Sequence, residues 1–162
     1  MQAALPEDAA ICSVRQAAPL EAYDAVAVGF WVRRGGPNEE AAAYLRQISG
    51  KPVVLFQTLG AEENGEHAMT SLARAAALLG PGCEIVGTFS CRGRIHPALL
   101  AKREALAPGD PHYPNERNRA RWAAAAPHPD AADLERARQF MQAMAKRLAR
   151  MAARSAAADK KR

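Results

Sequence analysis

Three short runs of apolar residues stand out along the chain, and none of them alternates regularly between polar and apolar positions. They are Asp24–Phe30, Lys51–Thr58 and Glu84–Phe89. Apolar runs of this length are typical of parallel strands that helices cover on both faces. A weaker run at Ala10–Val14 predicts a further strand near the start of the chain.

Helical spacing of apolar residues connects these runs. Asn38 is placed to N-cap a helix whose first turn carries Glu39 and Glu40, where acidic residues are favourable. A second helix is predicted from Glu66, with Met69 on its apolar side, and Gly80–Gly82 ends it. Further helices are predicted near Pro97–Leu106, over Asn115–Ala126 and from Asp130 onward.

The last predicted helix has a regular apolar stripe, formed by Leu134, Ala137, Met141, Met144, Leu148 and Met151. This spacing predicts a face that packs against a core, so the methionines are interpreted as packing residues. The stripe ends near residue 153. We therefore expect one domain over residues 1–153 and a basic, disordered tail over residues 154–162.

Strands that alternate with helices predict a parallel sheet within a three-layer α/β sandwich. The net charge is +5, which alone favours a nucleic-acid partner. Residues 136–162, however, carry +8 and residues 1–135 carry −3. The basic character therefore belongs to the last helix and tail, which we interpret as solvated surface. We expect no nucleic-acid and no membrane partner.

The expected compartment is the cytoplasm. The sequence has no apolar segment of membrane-spanning length and no secretory signal pattern. Cys12, Cys83 and Cys91 make an odd number of cysteines, which favours reduced thiols.

Ligands of parallel α/β sheets bind outside the carboxyl ends of the strands. Two loops at such ends carry the candidate cofactor-binding residues. The loop 29–38 contributes Gly29, Phe30, Trp31, Val32 and Gly35. The loop 58–67 contributes Thr58, Leu59, Gly60, Ala61 and His67. A flat aromatic ligand would stack on Trp31 between the loops. Alternatively, Trp31 caps the core and the glycines only form turns, and the spacing leaves both interpretations open.

The sequence lacks the motifs that mark several common kinds of active site. The sequence contains no glycine-rich dinucleotide loop, P-loop, GxSxG nucleophile or HExxH zinc motif. Cys91 and His96 lie five residues apart without a second pair of ligands, so no metal site is predicted. No residue is assigned a catalytic role, and the sequence does not decide whether the protein is an enzyme.

The chain resembles flavodoxins, in particular bacterial and archaeal proteins with a flavodoxin domain. The resemblance covers about residues 23–144, and four segments carry it: Tyr23–Val32, Val54–Ala61, Phe89–Arg94 and Pro127–Asp130. It implies a parallel sheet in the order 2-1-3-4-5, FMN at the carboxyl ends of the strands, and electron transfer to a redox partner protein.

The chain departs from this family at its start. Flavodoxins begin with a strand and a hydroxyl-rich loop that holds the FMN phosphate at a helix N-terminus. In this alignment Ala10–Val14 is the second strand, and the first strand and phosphate loop are missing. FMN binding is therefore expected to be impaired. The alternatives are a flavin-free interaction module with the same fold, and a small flavin-dependent reductase.

Overall fold

The computed structural model describes residues 9–159. Within that range the chain forms four strands: β1 (Val26–Arg33), β2 (Gly36–Pro37), β3 (Pro52–Leu59) and β4 (Glu84–Arg92). It also forms five α-helices: α1 (Glu39–Leu45), α2 (Glu66–Ala76), α3 (Pro97–Glu104), α4 (Glu116–Ala125) and α5 (Ala131–Asp159). None of these helices combines the length and apolar character that a membrane span requires.

The sheet has the order β2-β1-β3-β4. β1, β3 and β4 run parallel, whereas β2 pairs antiparallel with the carboxyl end of β1. The three predicted strands are confirmed, and each ends later than the apolar run that predicted it. The register places Trp31 of β1 beside Thr58 of β3, and Thr58 beside Cys91 of β4.

The first face of the sheet carries the larger core. α1 and α2 pack here, because their apolar side chains and those of alternate strand residues form one buried cluster. Its members include Val28, Phe30, Leu45, Ile48, Val53, Leu55, Leu72 and Ala75.

α5 covers the opposite face over β3 and β4. Val54 and Val86 pack there against Met141, with Met144, Leu148 and Met151 around them. The rings of Phe89 and Phe140 stack with centroids 5.3 Å apart. The predicted methionine stripe is therefore a packing face, and the structure has the three layers that the sequence predicts.

Three local predictions are wrong. Ala10–Val14 is not a strand: its residues are exposed, apart from the partly buried Val14, and it leads into a short 3₁₀ turn over Val14–Gln16. Met69 is 64% exposed and Leu134 is 58% exposed, although both were placed on apolar helix faces. Each lies within the first turns of its helix, and the core is formed by residues further along.

α5 continues to Asp159, into the segment that the sequence predicts as a disordered tail. Residues 160–162 of that tail lie outside the described residues. The predicted disorder of the tail stays a prediction.

β1 has an open edge. Within residues 9–159 its second edge pairs with a strand only at Val32 and Arg33, through β2. Ala27 and Trp31 are also exposed on the face that α5 covers elsewhere. The strand order 2-1-3-4-5 that the resemblance implies places the first strand of the family at this edge.

Candidate functional site

The carboxyl ends of β1, β3 and β4 lie together at one end of the sheet. Trp31, Thr58 and Cys91 are side by side in the strand register, so the loops that follow them lie at this end. The two predicted loops are in contact range: a Cβ placed on Gly35 would lie 3.8 Å from His67 Cε1. The structure thus brings together the two segments that the sequence selected.

The loop after β1 is a tight hairpin. Arg34 and Gly35 adopt positive φ angles of 52° and 75°, and Asn38 N–H donates to Trp31 O at 3.2 Å. Arg74 of α2 donates to the carbonyl of Gly35 at 3.0 Å, so the helix fixes the tip of the hairpin. The positive φ of Gly35 is a backbone conformation that favours glycine, which explains the residue there.

Side chains alternate in direction along β1. Phe30 is buried in the core against α1 and α2, and Val32 packs at the margin of that core. Trp31 points to the opposite face and is 57% exposed. An indole this exposed does not cap the core, so its large flat surface is available to a ligand.

The loop after β3 is more closely packed than the sequence suggests. A Cβ on Gly60 would lie 2.5 Å from the side chain of Ile95, and Gly93 N–H donates to Leu59 O at 2.9 Å. The glycine at position 60 therefore accommodates the segment after β4. Thr58 and Ala61 are partly buried, and His67 is exposed on the first turn of α2.

Asn38 contains the orphaned polar atom of this region. It occupies the N-cap position of α1, as predicted, but its side chain makes no capping hydrogen bond. Asn38 is 4% exposed, and among the described residues its Oδ1 is the single buried side-chain oxygen or nitrogen without a partner. A buried acceptor of this kind is costly unless a donor reaches it.

Sequence reasoning missed a polar network beside these loops. Asp133, whose side chain is fully buried, pairs with Arg136 and accepts the backbone N–H of Asp130 at 2.9 Å. His128 Nδ1 lies 2.6 Å from Asp133 Oδ2. Arg136 also donates to Glu63 in the loop 58–67 at 3.0 Å. The one local signal was the spacing of Asp130 and Asp133, which forms a reciprocal cap at the start of α5.

Opposing effects act on the pKa of Asp133. Burial alone raises it, but the hydrogen bond from His128, the backbone N–H of Asp130 and the charge of Arg136 outweigh burial. The pKa of this carboxyl therefore lies below its usual value, and the carboxylate is charged at neutral pH.

His128, Asp130 and Asp133 place possible ligand atoms within 4.8 Å of one another. Arg136 and His128 occupy the carboxylate oxygens of Asp133, and Asp130 Oδ1 accepts the backbone N–H of Asp133. These bonds already satisfy the acceptors that a cation would need, so the cluster is interpreted as the cap of α5.

Cys91 lies beside this network and is buried. The pKa of its thiol is raised to about 11, mainly by burial and to a smaller extent by the negative charges of Asp133 and Glu63. We therefore expect Cys91 to react far more slowly than the exposed Cys12 with a disulfide reagent at pH 8, since only about one thiol in a thousand is ionised. Reaction rates with Ellman's reagent measure this difference in Cys12→Ser and Cys91→Ser variants that also carry Cys83→Ser, so that each keeps one thiol. Rapid modification of Cys91 in the folded protein would contradict it.

The residues of this site fit the flavin ring of FMN better than they fit its phosphate. The exposed indole of Trp31 fits the face of a flat ring. A phosphate fits poorly at the described helix N-termini, because four of the five carry an acidic residue in their first turn. At the N-terminus of the fifth helix, α3, Pro97 has no backbone N–H to donate. The backbone N–H of Ala98 already donates to the side chain of His96.

Comparison with known proteins places this geometry in a family. A family model described as "Flavodoxin domain" matches residues 1–142. The chain is also 30% identical over 127 residues to "Flavodoxin-like domain-containing protein BilS" of Clostridioides difficile (strain CD3). That match spans 76% of this chain and 71% of the relative. The chain therefore belongs to the family of flavodoxin-domain proteins.

Proposed function

We propose that this protein binds FMN through the flavin ring and transfers electrons to a redox partner protein in the cytoplasm. The observation that carries the proposal is the exposed Trp31 at the carboxyl end of β1, in register with Thr58 and next to both candidate loops. Membership of the flavodoxin-domain family supports the same ligand.

In this proposal Trp31 and Arg74 have different roles. Trp31 stacks on the ring. Arg74 holds the hairpin that follows Trp31, through its bond to Gly35 O. A bound flavin supplies one- or two-electron transfer. Because acidic residues occupy most helix N-termini within residues 9–159, we expect the phosphate to add little affinity.

Charges on the loops would set the electrostatic environment of the ring. Arg33 is paired with Glu39 at 2.8 Å, which reduces its influence. Glu62 is exposed, with Arg92 4.0 Å away. The net field at the ring therefore depends on pairs within the loops rather than on isolated charges.

The open edge of β1 favours a second candidate function, a flavin-free interaction module. An unpaired strand edge offers backbone groups to another chain. The two functions differ in one observable property, since only the first requires a flavin to bind.

The test is a titration of the purified chain with FMN, followed through flavin fluorescence. We expect Trp31→Ala to weaken binding by about 1–3 kcal/mol, the usual contribution of stacking on an aromatic side chain. Trp122→Phe is the matched control, because Trp122 is buried and its ring is covered by Arg103 of α3. Equal binding by the parent and Trp31→Ala would remove Trp31 from the site. Absence of flavin binding by the parent would favour the interaction module.

A further inference from the structure

Glu63 is the inward-facing residue of the loop 58–67. Its neighbours Glu62 and Asn64 are exposed, whereas both carboxylate oxygens of Glu63 are engaged. Oε1 accepts a hydrogen bond from Arg136 of α5 at 3.0 Å. Oε2 accepts the backbone N–H of Arg92, at the end of β4, at 3.3 Å. One side chain thus ties this loop to the helix layer and to the neighbouring strand.

Arg136 is itself held in place. Its guanidinium pairs with Asp133, which is fully buried and is fixed by the N–H of Asp130 and by His128. A surface ion pair usually contributes little, because ordering two long side chains costs entropy. Here the buried partner has already ordered the arginine, so the bond to Glu63 forms with little additional cost.

The turn over residues 62–65, which follows the packed Gly60, has few other hydrogen bonds to support it. Gly65 N-caps α2 without a side-chain hydrogen bond, and one backbone bond, from Gly65 N–H to Glu62 O at 3.3 Å, closes the turn. A turn with so few internal contacts is expected to open readily on its own.

We infer that Arg136 is a positioning residue of the candidate flavin site, acting through Glu63 to hold the loop 58–67 against β4 and α5. The inference rests on the proposed function for what the loop contacts, but the positioning itself concerns residues of this chain alone. It assigns a site role to Arg136 in the second turn of α5, 73 residues from Glu63 in sequence.

Hydrogen–deuterium exchange of the full chain without flavin tests the positioning. We expect Arg136→Gln to accelerate exchange about tenfold in peptides covering residues 60–66, with peptides of β1 unchanged. Glu63→Gln leaves the Asp133–Arg136 pair intact and should also accelerate exchange there. Arg138→Gln is the matched control, because Arg138 lies on the same helix and forms an exposed pair with Glu135. Unchanged exchange in the loop for both Arg136→Gln and Glu63→Gln would overturn the inference.

FMN titration of the same variants separates this inference from the proposed function. We expect Arg136→Gln and Glu63→Gln each to weaken FMN binding several-fold, and the double variant to bind no more weakly than Glu63→Gln. Fully additive losses would overturn the claim that Arg136 acts through Glu63. If the parent binds no FMN, the proposed function fails, while the exchange measurement still decides whether Arg136 positions the loop.

Discussion

Replacing Leu55 by alanine is expected to lower the free energy of unfolding by about 2–5 kcal/mol. Leu55 is completely buried in β3, the strand that pairs with β1 on one side and β4 on the other. Its side chain packs in the core cluster under α1 and α2, where the loss of three carbons leaves a cavity. Equilibrium unfolding in urea measures the change.

Met69→Ala is the control for this substitution. Met69 lies on α2, the helix that covers the same face, but is 64% exposed. Its truncation is expected to change the free energy of unfolding by no more than about 0.5 kcal/mol. Similar losses for Leu55→Ala and Met69→Ala would contradict the position of the core described above.

The parallel strands could be predicted from sequence because the apolar pattern that marks each strand lies within one short segment of the chain. Each parallel strand is a run of apolar residues, and burial on both faces requires such runs whatever the rest of the chain does. β1 ends later than predicted because its last residues, such as Trp31 and Arg33, are exposed and do not form part of a buried apolar run. Those final residues are the ones that reach the candidate site.

The wrong predictions at Ile11 and Met69 have the same physical cause. Ile11 and Met69 are apolar residues in regular patterns, yet Ile11 is 55% exposed and Met69 is 64% exposed. A pattern indicates which residues can be buried, whereas the number of partners available at that place decides which ones are. Within the described residues nothing pairs with the segment Ala10–Val14 as a strand.

The polar network was not predictable for a different reason. Glu63 and Arg136 belong to elements far apart in sequence, and a charged residue on a loop or helix surface is usually solvated. Only the fold brings the loop after β3 next to the second turn of α5. The site residues of the two loops were selected because strand ends have a fixed relation in a parallel sheet, which the register of Trp31 and Thr58 reproduces.

Asp133→Asn is expected to lower the free energy of unfolding by about 3 kcal/mol at pH 7. The carboxylate of Asp133 is fully buried and holds Arg136, His128 and the N–H of Asp130, and an amide cannot satisfy all three donors. Glu135→Gln is the matched control on the same helix. Its ion pair with Arg138 is exposed, so its removal should matter far less.

The difference between wild type and Asp133→Asn should itself depend on pH. The pKa of Asp133 is lower in the folded protein than in the unfolded chain, because its hydrogen bonds and the charge of Arg136 favour the carboxylate. Its contribution is therefore complete above the pKa of an ordinary aspartate, near 4, and is lost as the pH falls through the lower folded value. Urea unfolding of both proteins between pH 5 and pH 2 should give a difference that shrinks as the pH falls through this range. A difference that grows on acidification would mean that the folded protein favours the protonated acid, and would contradict the hydrogen-bonded carboxylate described here.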